Sequence, residues 1–281
     1  MSPAGRILIL LHEREPDPGV VPHRIWFLRE IWEERGFEVV VQKGIDDAPE
    51  SDVVIPHLDL TVVPPEYVRF LEQYSVVLNR RVTDVSKRRI SRYLVRLGEG
   101  YDGPVIVKTD RNYGGLPERN IERGRRARCW SGKLRTLAKA RAMSPEQYPV
   151  FESIRDVPRG VFKNDALVVE RFLPEREGEQ FCLRTWVFLG DRGLSMRRRC
   201  PVPVIKPRWS TPPEEVEVPE AMRVARERLG LDYGKMDFVV RDGEAILLDV
   251  TRTPGLRAGP LDEMQRRAHE DFADGIRGWL S

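Results

Sequence analysis

Leu229 to Gly255, reading LGLDYGKMDFVVRDGEAILLDVTRTPG, constrains this chain more than any other stretch. It begins at the end of a helix, runs into a strand, turns at Asp242-Gly243, and continues as a second strand into a loop holding Pro254-Gly255. Met236, Phe238 and Val240 alternate on the first strand; Ile246, Leu248 and Val250 alternate on the second. A side chain changes face at each step along a strand. A two-residue loop would set the two apolar sets on opposite faces. A three-residue loop ending on Gly243 in the left-handed region, with a bulge, brings them together and is the expected form. The other face then carries Lys235, Asp237, Asp249 and Thr251. Two carboxylates and a hydroxyl on one face are the hard oxygen ligands that Mg²⁺ prefers.

The remainder is ordinary for a water-exposed globular protein: 281 residues, 41% apolar and 32% charged. No apolar run approaches the ~20 residues of a membrane span, and Met1 to Leu11 lacks a signal-peptide pattern. Cys129, Cys182 and Cys200 form neither a disulfide framework nor a zinc knuckle, which places the chain in a reducing cytoplasm. His12, His23, His57 and His269 show no metal-ligand spacing. A net charge of +3 does not by itself imply nucleic acid.

Residues 1–83 alternate short strands with helices. Arg6–Leu11, Phe37–Val41, Val53–Ile55 and Ser75–Leu78 are the expected strands, and Pro22–Arg35 is an amphipathic helix closed by Gly36. That order predicts a small parallel α/β sheet. No Gly-rich loop follows its first strand, so a Rossmann nucleotide site is excluded and its loops are expected to hold substrate.

Asp84–Leu97 is expected to be helical. The strand Pro104–Lys108 ends in a lysine, and Asn112-Tyr113-Gly114-Gly115 follows. Paired glycines let a backbone approach an anion closely, and Lys108 points at the same region, so phosphate is the expected ligand. Residues 119–141 are strongly basic, with Arg123, Arg125, Arg126 and Arg128 at their centre. Only Trp130 interleaves an aromatic there, so a solvated insertion competes with an anion-binding surface. Leu167–Leu173 is a strand carrying Glu170, and Phe181–Leu189 carries Arg184 inside an apolar run. An arginine so placed is either a structural ion pair or a cleft residue. Leu261, Met264, Ala268, Phe272 and Ile276 have the spacing of a final helix's buried stripe.

With Lys108, the Gly-Gly turn, VERFL, Arg184 and the Asp237/Asp249 hairpin in this order, the chain resembles the ATP-grasp superfamily. The likeness is to its carboxylate–amine ligases: ribosomal-protein glutamate ligases, glutathione synthetases and D-alanine–D-alanine ligases. It runs from about Asp84 to Gly255. The resemblance implies a mixed α/β and α+β architecture in which a pre-grasp α/β lobe (1–83) precedes two α+β lobes (84–173 and 174–281) that clasp ATP. Lys87 and Lys108 would contact phosphates, Lys108 also the adenine, while Gly114 and Gly115 would belong to a loop that closes on the phosphates. Glu170, Arg171, Phe172 and Leu173 would form the hinge that addresses the adenine edge, and Glu179 would take the ribose hydroxyls. Asp237 and Asp249 match the Mg²⁺ carboxylates, with Mn²⁺ an alternative ion, and Thr251 stands where an Asn is usual. Arg184 resembles the arginine that stabilises the phosphoryl group in flight, assisted by Lys206.

The implied activity is an ATP-dependent ligase working through an acyl phosphate, with small-molecule or peptide carboxylate and amine substrates. Arg252, beside the metal loop, is a candidate for binding the substrate carboxylate. Asp for Glu at 249 and Thr at 251 are departures that bear on the second metal ion. Three rivals stay open: a kinase on the same scaffold, a catalytically weak nucleotide-binding module, and a nucleic-acid-binding protein built on the arginine-rich stretch.

Overall fold

The computed structural model describes residues 4–122, 130–204, 210–256 and 263–280. Lys206, Arg123, Arg125, Arg126, Arg128 and Leu261 lie outside the described residues, as does the side chain of Met264.

In chain order the first elements are β1 (Arg6–Leu11), α1 (Arg24–Glu34), β2 (Glu38–Lys43), β3 (Val53–Pro56), α2 (Pro65–Leu71), α3 (Lys87–Ile90), β4 (Val105–Thr109), α4 (Leu116–Ile121), α5 (Leu134–Leu137), β5 (Val150–Phe151) and β6 (Leu167–Arg171). Then come β7 (Glu175–Glu177), β8 (Gln180–Leu189), β9 (Arg192–Cys200), β10 (Glu214–Glu215), α6 (Glu220–Leu229), β11 (Tyr233–Arg241), β12 (Glu244–Thr251) and α7 (Glu263–Asp274).

The continuous apolar run of β1 becomes the central strand of a parallel sheet ordered β2-β1-β3. Buried on both faces, such a strand has no need of alternation. One of its faces packs against α1 and α7 through Ile7, Ile9, Leu28, Trp32, Phe272 and Ile276; the other packs against α2. Ser75–Leu78 makes only a bridge at Val54↔Val77, so it does not extend the sheet as a strand. The terminal stripe is also shifted. Ala268 is exposed, and His269, Phe272, Ala273 and Ile276 are the residues turned inward.

A second sheet is antiparallel, ordered β5-β4-β6. The expected helix Asp84–Leu97 is reduced to Lys87–Ile90, because the chain beyond it is taken by the edge of β6. Val95 donates to the Val169 carbonyl at 2.8 Å, and Arg171 donates to the Tyr93 carbonyl at 2.9 Å. Those contacts satisfy backbone groups that a helix would have left bare.

The third sheet runs β10-β9-β8-β11-β12, with β7 on β8. Its first face packs Trp186, Phe188, Met236, Phe238 and Val250 against Met222 of α6 and against Val82, Val85 and Ile90. Here the structure corrects the hairpin. Arg241 pairs with Glu244, leaving a two-residue turn in which Asp242 (φ 50°) and Gly243 (φ 80°) are both left-handed, as a type I′ turn requires. The bulge lies further on. Phe238 opposes Leu247 while Asp237 opposes Asp249, so Leu248 is the extra residue. Ile246, Leu248 and Val250 therefore do not share a face. Ile246 and Val239, both buried, lie on the side of the aspartates.

Candidate active site

The bulge sets Asp237 directly opposite Asp249, with Lys235 opposite Thr251 on the same face. On the neighbouring strand β8, Thr185 opposes Asp237 and donates its hydroxyl to Asp237 Oδ1 at 2.8 Å. Lys235 Nζ donates to Asp237 Oδ2 at 2.6 Å. Burial disfavours the Lys235 ammonium, but the Asp237 charge and hydrogen bond outweigh it and raise its pKa.

Lys87, almost wholly enclosed, donates to Asp249 Oδ1 at 3.1 Å and to Asn112 Oδ1 at 3.4 Å. Burial pushes the Asp249 carboxyl up, yet the charges of Lys87, Lys235 and Lys108 together hold it below the usual carboxylate range. Lys87 pairs with Asp249 directly, and the charges of Lys235 and Lys108, from two other elements, act on it as well. Asp249 Oδ2 accepts no hydrogen bond among the described residues, although Oδ1 also takes its own neighbour Val250 N–H at 3.0 Å.

Lys108 lies on the second sheet. Ile106, Lys108, Val168 and Glu170 share one face of β4 and β6, while Val105, Val107, Leu167 and Val169 fill the core behind. Lys108 Nζ lies 2.6 Å from Glu170 Oε2 as a close ion pair, out of line for a hydrogen bond. Tyr148 packs against the core behind and is bonded to the Thr109 hydroxyl at 2.9 Å. Burial first, then the Asp249 charge, lifts its phenol to about 12. A pocket of about 520 Å³ is lined by Phe172, Pro104, Val150 and Pro174 together with the charged Glu152, Glu175, Arg176 and Arg241. Arg171 is exposed with its guanidinium over the Tyr101 ring; Leu173 is half-buried, and Glu179 lies exposed in the turn after β7.

Two groups are placed differently from the sequence reading. Gly114 and Gly115 lie in a tight, buried turn. Tyr113, Gly114 and Gly115 are three successive left-handed residues, and a Cβ on Gly114 would sit 1.8 Å from the Met143 carbonyl oxygen. Beside them Asn112 clamps the hairpin, donating from Nδ2 to the Val250 carbonyl at 2.6 Å and from its backbone to Thr61 Oγ1 at 2.9 Å. Arg184 opposes Phe238 and so lies on the face away from Asp237. Glu175 holds it with hydrogen bonds of 3.0–3.2 Å, and also holds Arg197 and the Val240 N–H. Arg184 is the structural ion pair of the two alternatives its sequence context allowed, and the structure does not bring it to the aspartates. Thr185, one residue on, is what reaches Asp237; Asn112, Tyr148 and Lys235 were likewise not assigned roles from sequence. Their signal was weak: a register between strands, and adjacency to a Gly-Gly pair.

Arg252 is not at a surface. It is 3% exposed and donates to the carbonyls of Val82 at 3.1 Å and Leu60 at 2.6 Å. Burial lowers its pKa to about 10 despite the nearby charges of Asp84, Asp59, Glu118 and Glu15. Beyond it a small pocket is lined by Glu15, Asp59, His23, Val21, Trp26 and Ile121. Glu15, 7% exposed, accepts the backbone N–H groups of His12 and Asp59 on Oε1. Burial raises its carboxyl to about 8.

No family model and no curated protein matches the chain. Solved structures do. The RimK domain ATP-grasp protein of Sphaerobacter thermophilus matches with a TM-score of 0.52 at 14% identity, over 98% of this chain and 99% of that one. D-alanine–D-alanine ligase of Bacillus anthracis, complexed with ATP, matches with a TM-score of 0.52 at 14% identity, over 98% and 96%. The ATP-grasp ligase PsnB, complexed with minimal precursor, Mg and ADP, matches with a TM-score of 0.51 at 13% identity, over 98% and 97%.

Proposed function

We propose that this chain, whose fold is ATP-grasp, is an ATP-dependent ligase joining a carboxylate to an amine. The observation that supports it most is the pair of opposed aspartates, Asp237 and Asp249, each held by a lysine, Lys235 and Lys87. Such a concentration of fixed positive charge around carboxylates suits a polyphosphate and needs no protein nucleophile. The pocket beside Phe172 would take the base, and the lobes would run 1–83, 84–173 and 174–281. A middle core drawn entirely from Val95 to Val169 supports that middle lobe.

The donor set fits Mg²⁺: two opposed carboxylates offer hard oxygens, and Asp249 Oδ2 is uncommitted. Asp249 would hold the ion through its uncommitted Oδ2, with Asp237 opposite it, and the ion when bound offsets charge on the phosphate oxygens. Lys87 and Lys108 would lie along the phosphates and neutralise charge on the leaving ADP. A carboxylate oxygen bonds to the γ-phosphorus as its bond to the β-bridging oxygen breaks; an amine nitrogen then attacks the acyl carbon, releasing phosphate and a proton. The buried thiol of Cys182 suits a reducing cytoplasm.

Each aspartate is already neutralised by a lysine, which favours one rival, a nucleotide-binding module with little turnover. The test has two stages. ATP with Mg²⁺ is expected to raise the melting temperature of the chain but not of Asp249→Ala; no shift in the parent chain would sink the nucleotide reading. ADP release that requires both an acid and an amine then marks a ligase, release with one acceptor alone marks a kinase, and none marks the binding module.

A further inference from the structure

The four carboxylate oxygens of Asp237 and Asp249 are unequally committed. Asp237 Oδ1 takes the Thr185 hydroxyl and Oδ2 takes Lys235, at 2.8 and 2.6 Å. Asp249 Oδ1 takes Lys87 at 3.1 Å, and its Oδ2 alone carries no hydrogen bond among the described residues. Lys235 is rooted in the interior of β11, with Val187 and Thr251 as its cross-strand neighbours on either side. Its ammonium is therefore held on the shared face beside Asp237, between a buried hydrocarbon and a hydroxyl.

We propose that the Lys235 ammonium stands in for a second divalent cation, so that this chain takes nucleotide with one metal ion, on Asp249, rather than two. The inference rests on the nucleotide reading above. Paired catalytic metals sit roughly 3.5–4 Å apart and share carboxylates. A second dication on Asp237 would have to expel the ammonium or lie about that close to it. Expulsion leaves a largely enclosed cation without its counter-ion, which is costly. Coexistence sets like charges together in a site of low dielectric. Thr251, directly opposite Lys235, adds a single hydroxyl and no negative charge to attract another ion. Lys87 does not close the site in the same way, since Asp249 keeps its second oxygen. An ammonium supplies charge but no coordination sphere, so Lys235 would screen phosphate without orienting it.

The test counts Mn²⁺ on the full chain by electron paramagnetic resonance and equilibrium dialysis, with a non-hydrolysable ATP analogue at saturation. One nucleotide-dependent Mn²⁺ per chain is expected for the parent and for Lys235→Arg, and two for Lys235→Met. Two ions in the parent chain, or one in a folded Lys235→Met, overturns the proposal while leaving the nucleotide reading intact. No nucleotide-dependent Mn²⁺ in the parent overturns both. If Lys235→Met does not fold, the parent and Lys235→Arg counts decide.

Discussion

Asp249 accepts a hydrogen bond at 3.1 Å from Lys87, which lies 162 positions earlier in the chain. The pair ties the short helix α3 to the strand that carries the candidate metal ligand. Replacing Lys87 by Met leaves Asp249 with weaker compensation in an enclosed place, and breaking such a pair costs about 3 kcal/mol. Denaturant titration is expected to show this loss at neutral pH. The folded-state pKa of Asp249 lies below 3.8, so the stabilisation exists above that value and fades as pH falls through the folded one. The deficit of Lys87→Met relative to the parent should shrink in the same acid range. A deficit unchanged by acid would place the role of Lys87 in packing instead.

Gly114 offers a purely steric prediction. Its φ is 73°, and an added methyl would lie 1.8 Å from the Met143 carbonyl oxygen. Backbone cannot yield as a side-chain tip can. Gly114→Ala is expected to destabilise by about 3 kcal/mol or more, combining left-handed strain with the clash, whereas Gly243→Ala, which meets no atom within 4 Å, should lose only the strain, about 1 kcal/mol. Comparing their melting temperatures separates the two contributions.

Glu175 carries Arg184, Arg197 and the Val240 N–H on one buried carboxylate. Burial opposes its charge, but the hydrogen bond from Arg184 and the charges of both arginines hold its pKa below 4.5. Its contribution is therefore present above 4.5 and lost as pH falls through the folded value. Glu175→Ala strands the partly enclosed Arg184, while Arg197 keeps Glu177 and Glu214, and is expected to cost about 3 kcal/mol at neutral pH. If Arg184 acts only through this pair, Arg184→Met should lower stability with little change in nucleotide affinity, as isothermal titration can show.

Glu15 has the opposite sign. Burial lifts its carboxyl from 4.5 to about 8, so the folded state favours the neutral acid. The resulting cost of ionisation is absent below 4.5, grows between 4.5 and 8, and is complete above. At about 1.4 kcal/mol per pH unit it reaches at most a few kcal/mol. Glu15→Gln keeps an acceptor for the His12 and Asp59 N–H groups. Its melting temperature relative to the parent should therefore rise from pH 5 to pH 9, and a flat difference would refute the assignment.

Local patterns made much of this fold legible. The apolar run of Arg6–Leu11 marks a doubly buried strand, and the alternation from Met236 to Val240 marks a one-faced one; both are properties of the segment itself. What was not legible depends on partners. Arg184 sits in an apolar strand, yet only the register against β11 decides that Thr185, and not Arg184, meets Asp237. Residues Tyr93 to Val95 have helical company in sequence but are claimed by the edge of β6. The hairpin is the sharpest instance. Both aspartates were expected on one face and are found there, but the expected loop was wrong: a regular I′ turn followed by an extra residue in mid-strand gives the same outcome.

That extra residue makes the hairpin tolerant in one direction only. Leu248 is surplus to the pairing, so a chain shortened by that residue would still set Asp249 across from Asp237. A chain lengthened by one residue between Gly243 and Leu248 would instead offer Asp237 a hydrocarbon neighbour and turn Asp249 toward Met236, unless a second bulge absorbed it. Segment length is therefore under the same constraint as the acids themselves, and insertions here should be far rarer than deletions among functioning variants.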